Sequence, residues 1–122
     1  MMGWRAGMFI QIAAIGLALN ALPASAQPAR VDFNRDVRPI LSDTCFKCHG
    51  RDAEARQADL RFDMRAEAIK PYGDNNLTPI VPGKPDQSEA WRRITAKDPD
   101  ELMPPPASHI VLTDKQKETL RL

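Results

Sequence analysis

The chain is poor in the residues that build metal fingers: its only cysteines are Cys45 and Cys48, and its only histidines are His49 and His109. Cys48 and His49 are adjacent, which suits them badly to closing one tetrahedral ion, and the two well-separated ligand pairs of a structural zinc finger are missing. Aromatics are scarce, at 6%. Beyond residue 26 they are Phe33, Phe46, Phe62, Tyr72 and Trp91, enough for one small domain with limited apolar surface to bury. No apolar run reaches the ~20 residues that span a bilayer. Charge of one sign is lacking too: the net +1 vanishes once Arg5 is set aside with the first 26 residues. A neutral chain excludes strong electrostatic attraction to nucleic acid or to an anionic surface. Arg51, Arg56, Arg61 and Arg65 alternate with Asp52, Glu54, Asp59 and Asp63, so they read as a solvated mixed-charge face. No internal repeat or low-complexity segment is evident.

What is present begins with a leader. Met1 to Gly7 holds Arg5 and no acid, Met8 to Leu22 is apolar apart from Gln11, Gly16 and Asn20, and Ala24-Ser25-Ala26 is a small-x-small cleavage site. Residues 1–26 are therefore expected to be a signal peptide and 27–122 one exported domain, periplasmic or otherwise extracytoplasmic. Membrane attachment would follow only if the leader stayed on.

The chemistry-bearing segment is Cys45-Phe46-Lys47-Cys48-His49. Two thiols three apart with an imidazole directly behind them form the attachment site of a c-type haem. On a helix, positions i, i+3 and i+4 share a face, so both sulfurs can reach the vinyl groups of one porphyrin while His49 reaches its iron. The competing readings fare worse. A thioredoxin-like thiol pair calls for a β-α-β context, whereas the residues before Cys45 have helical spacing. Export agrees with the haem reading, because in bacteria the haem-attachment machinery works outside the cytoplasmic membrane. A porphyrin would also supply the apolar body that the aromatics do not.

Val37, Ile40, Leu41, Thr44, Cys45 and Cys48 fall at i, i+3, i+4, i+7, i+8 and i+11, which predicts a helix from Asn34 or Asp36 through the cysteines, with Pro39 near its start and Gly50 as its stop. A loop over 51–58, a very short extended piece over Leu60–Asp63 and one or two helical turns over 64–70 follow. Residues 71–85 are turn-rich and read as an irregular loop. A second helix is expected from Asp86 or Ser88 to about Lys97, with Glu89 completing a capping box on Asp86 and with Ala90, Trp91 and Ile94 on its apolar face. Thr113 and Gln116 form the capping box of a last helix whose apolar positions are Leu112, Leu120 and Leu122.

A six-coordinate iron needs a second ligand, and beyond the leader the candidates are Met64, Met103 and His109. Met103 precedes Pro104-Pro105-Pro106 in a loop between two helices. Proline fixes its own φ and restricts the residue before it, so such a segment can hold a thioether against a metal with little freedom to lose. Met64 reads as a packing residue at the start of a short helix. His109 is the alternative to Met103, and would replace histidine-methionine by bis-histidine ligation.

With Val31 to Leu41 ahead of the haem motif, and with Ala58-Asp59-Leu60-Arg61-Phe62-Asp63, Ile80-Val81-Pro82-Gly83-Lys84-Pro85 and Asp100-Glu101-Leu102-Met103-Pro104-Pro105-Pro106 behind it, the chain resembles the planctomycete-type cytochrome c domain over nearly all of residues 31–122. The resemblance implies a small all-α cytochrome c-like fold of three to four short helices around one covalent haem c, joined by long irregular loops. It implies Cys45 and Cys48 as thioether sites, His49 as proximal ligand and Met103 as distal ligand. Family members continue the final helix into downstream domains, so the helix ending at Leu122 is expected to be a truncated one. The function expected is electron transfer by an exported single-haem carrier, with redox proteins as partners and no nucleic acid. No catalytic side chain is expected. The alternatives are a haem enzyme or ligand sensor with an open distal position, or the haem-bearing module of a larger exported enzyme.

Overall fold

Asp32, rather than Asn34 or Asp36, begins the first helical segment. Its carboxylate accepts the Arg35 amide at 2.9 Å, while its own amide donates to the Asp36 carboxylate at 2.8 Å. Two otherwise orphan donors are thus satisfied reciprocally. The Arg35 guanidinium and the Asp32 amide together hold the Asp36 carboxyl down to about 2. The computed structural model describes residues 30–122, so the expected leader lies outside the described residues. After Asp32 the chain makes a π-helical turn, Phe33–Val37, and runs into helix α1, Arg38–Thr44. Pro39 sits in the first turn of α1, where its missing N–H leaves no bond unmade.

Helix α1 stops before the thiols. The Leu41 carbonyl accepts both the Cys45 amide at 2.8 Å and the Phe46 amide at 2.9 Å, which widens the last turn. Cys45 to His49 then form a separate turn, closed by the His49 amide on the Cys45 carbonyl at 2.8 Å. The shared face expected of a continuous helix is thus supplied by one isolated helical turn.

Leu60 to Asp63 do not form a strand. The Phe62 amide donates to the His49 carbonyl at 2.8 Å, which folds this segment back onto the thiol turn. Helix α2 is the single turn Arg65–Ala68, and a lone bridge pairs Tyr72 with Leu77. Helix α3, Glu89–Ile94, follows a 3₁₀ turn at Pro85–Gln87. The capping box expected at Asp86 is not formed, because Glu89 turns inward to Arg92 and Arg93. Ser88 occupies the N-cap position, yet its hydroxyl serves the preceding loop, accepting the Val81 amide at 2.9 Å and donating to the Lys84 carbonyl at 3.0 Å. Helix α3 also ends short of Lys97. Just beyond it, the Asp98 carbonyl collects the Glu101 and Leu102 amides into a turn of its own.

Helix α4, Asp114–Arg121, has the expected box: Thr113 Oγ1 accepts the Gln116 amide at 3.2 Å, and Gln116 Oε1 accepts the Thr113 amide at 2.9 Å. Ile40 of α1, Ile94 of α3 and Leu112 ahead of α4 form a buried cluster, with Trp91, Met103 and Leu120 packed against it. Each such aliphatic side chain contributes roughly 1.5–3 kcal/mol when fully buried. The described residues are all-α, with four short helices and no strand.

Candidate functional site

The helices do not close on one another but around a cavity of about 1160 Å³. That exceeds the ~300–1,000 Å³ usual for small-molecule sites. Its walls are largely apolar, with Leu41, Leu60, Phe62, Ile80 and Ile94 among them. Cys45, Cys48, His49 and Met103 all line it, drawn from the turn after α1 and from the loop after α3.

His49 is held from two sides. A carbonyl oxygen can only accept, so the 3.2 Å contact between His49 Nδ1 and the Gln57 carbonyl places the ring proton on Nδ1. The lone pair is then left on Nε2, the arrangement by which metal-ligating histidines are oriented. The Phe62 ring meets the imidazole edge to face, with centroids 5.6 Å apart. Burial lowers the imidazole pKa, partly opposed by the Gln57 carbonyl, so the neutral ring, the ligating form, is favoured.

Both thiols are free and half-buried. Burial raises the Cys45 thiol, opposed by the Thr44 hydroxyl 3.3 Å from its sulfur. Thr44 is itself tied to the Ile40 carbonyl at 2.6 Å, so α1 orients the first sulfur although it does not contain it. Gly50 has a steric duty: a Cβ there would collide with the Phe46 carbonyl oxygen. Met103 is fixed at its backbone, its amide donating to the Arg93 carbonyl at 3.1 Å.

The other two candidates lie elsewhere. His109 is exposed, with a left-handed φ of 58°, and is not on the cavity wall. Met64 is 43% exposed and also off the wall. Among the described residues no three His, Cys, Asp or Glu side chains converge as a metal-binding group, which leaves zinc without a ligand set. The supports of His49 are illegible in the sequence. Gln57 acts through its main chain, and nothing at Ala58 or Asp59 announces the left-handed φ values of 56° and 51° that reverse the chain toward Phe62.

A large apolar cavity, with two thiols and a pre-oriented imidazole on its wall, fits a haem in both size and donor set. This scaffold and site are those of a c-type cytochrome domain. A profile of the planctomycete cytochrome C family matches residues 45–107, just over half of the chain, and the chain belongs to that family. The match opens on Cys45 and takes in Met103. Membership implies haem c as the cofactor and suggests an electron carrier rather than an enzyme. No curated protein and no solved structure gives a match.

Proposed function

We propose that this chain is an exported single-haem c-type cytochrome that transfers electrons through a histidine-methionine iron. Cys45 and Cys48 would hold the haem through thioether bonds, His49 Nε2 would be its proximal ligand and Met103 Sδ its distal one. The observation that carries this reading is that these four side chains line one cavity while the proton of His49 is committed to the Gln57 carbonyl. When bound, a haem supplies a one-electron Fe(III)/Fe(II) couple.

The protein's own part is passive but specific. Gln57 and Phe62 keep the imidazole in one orientation. The weakly donating thioether of Met103 would favour the reduced iron and so raise the potential, and the apolar walls would limit water around it. No side chain acts as acid, base or nucleophile. Among the described residues no helix is long and apolar enough to cross a membrane. Redox proteins meeting the domain in the periplasm or another extracytoplasmic space are the partners this role requires.

Mass measurement on denatured protein from a cytochrome-maturing host tests the attachment, one haem per chain being expected. An unmodified mass from a competent host overturns it. The oxidised protein should show the red-region sulfur-to-iron band, lost in Met103→Ala and kept in His109→Ala. The reverse pattern would hand the distal position to His109.

A further inference from the structure

Met103 sits on a loop that is fastened to α3 at two points, and only one of them is main chain. The first is the Met103 amide on the Arg93 carbonyl at 3.1 Å. The second is a chain of ion pairs. Glu89, 7% exposed at the start of α3, accepts Arg92 through both oxygens, at 2.6 and 2.8 Å, and Arg93 Nε at 2.8 Å. Arg92 then reaches off the helix and donates through Nη1 to Glu101 Oε2 at 2.8 Å. Glu101 stands two residues before Met103 and belongs to the tight turn closed on the Asp98 carbonyl, so a pull on Glu101 is passed along little free backbone.

We propose that the chain Glu89–Arg92–Glu101 is the positioning device of the distal ligand: it clamps the loop to α3 and so sets how firmly Met103 stays on the iron. The inference rests on the histidine-methionine reading above. Each member has a separate duty. Glu89 is buried and already paired with Arg93 on its own helix, so it anchors the arginine. Arg92 is the only cation paired with Glu101 among the described residues, and it donates to Glu89 through Nε and Nη2. Glu101 is the releasable end, its side chain 49% exposed. Its link is consequently open to screening by salt, while the Glu89 end is shielded.

Any interaction present only while the loop is docked opposes a ligand that must displace Met103. An ion pair exposed on one side contributes about 0.2–1 kcal/mol, which corresponds to as much as about a fivefold change in competitor affinity. The test uses holoprotein and imidazole as the competing ligand, followed by loss of the red sulfur-to-iron band. Glu101→Gln is the informative variant, because Arg92 keeps Glu89 and no buried charge is orphaned. It should bind imidazole more tightly than the parent at low salt, by up to about fivefold, and the difference should shrink at high salt. Amide exchange at Met103 should quicken in the same variant. Glu67→Gln, which breaks a surface pair with Lys70 away from this loop, should change neither. Equal imidazole affinity and unchanged Met103 exchange in Glu101→Gln, in a protein whose red band depends on Met103, would overturn the clamp. A red band that survives Met103→Ala would instead remove the ligation reading, and the proposal with it.

Discussion

Gly50 carries more of the site than a helix stop would. It is buried, its carbonyl accepts Arg56 Nε at 3.1 Å, and the position of its missing Cβ is taken by the Phe46 carbonyl oxygen. Gly50→Ala must therefore push Phe46 away and open the turn that bears Cys48 and His49. Forced overpacking of this kind costs about 1–3 kcal/mol. Urea melts of the haem-loaded protein should show a loss in that range, and haem per chain by mass should fall with it. A Gly50→Ala protein with parental stability and full haem would mean that the turn relaxes freely. The contrast with His49 explains what the sequence reveals at this scale. Cys45, Cys48 and His49 are legible as a candidate haem site because two thiols and an imidazole stand at a fixed spacing. The Phe46 oxygen and the Gln57 carbonyl are not legible, since every residue has a carbonyl and only the folded chain decides which one matters.

At the scale of elements, local signals are realised where nothing tertiary competes. The Thr113–Gln116 box forms as read because no buried partner competes for either side chain, Thr113 being exposed and Gln116 only half-buried. Glu89 had an equally good local box with Asp86, but burial beside two arginines outweighs a solvent-exposed cap. The apolar stripe over 37–48 likewise marks the right face but not the helix end, since an isolated turn places i, i+3 and i+4 together as a helix does. The Glu89 arrangement also makes α3 sensitive to acid. Hydrogen bonds from Arg92, and then from Arg93, hold the Glu89 carboxyl below its ordinary value, with burial opposing them. A carboxyl depressed in the folded state contributes stability that is present above the unfolded value, about 4.3, and lost as pH falls through the folded one. Thermal melts from pH 6 down to pH 3 should show the decline beginning near the unfolded value. Glu89→Gln should melt lower at pH 6 and decline less steeply. Asp36, depressed to about 2 but at the surface and screened by solvent, should contribute little to that slope. Parallel curves for the parent and Glu89→Gln would show that the α3 pairs are not what acid breaks.

For the whole molecule, the deciding quantity is how little apolar surface the chain buries against itself. The buried apolar side chains among the described residues include Ile40, Leu41, Leu60, Ala68, Ile94 and Leu112, and four of these, Leu41, Leu60, Ala68 and Ile94, also face the cavity. Other apolar wall residues, Phe62, Ile80, Trp91 and Met103 among them, are only partly buried. Filling the cavity with a porphyrin would complete the core, so the shortage of aromatics and the size of the cavity are two aspects of one design. Cys45→Ser/Cys48→Ser protein, unable to retain haem covalently, isolates this contribution without altering the helices. Losing the equivalent of two large buried side chains forfeits roughly 3–6 kcal/mol. At about 4–8 °C per kcal/mol for a domain of this size, the melting temperature should fall by more than about 10 °C. The transition should also broaden, and the variant should bind an apolar dye that the haem-loaded parent excludes. If the thiol-free chain instead melts as high and as sharply as the parent, the four helices are self-sufficient and the cavity is a pocket within a finished fold. A large fall would establish that the haem is a structural member of the domain.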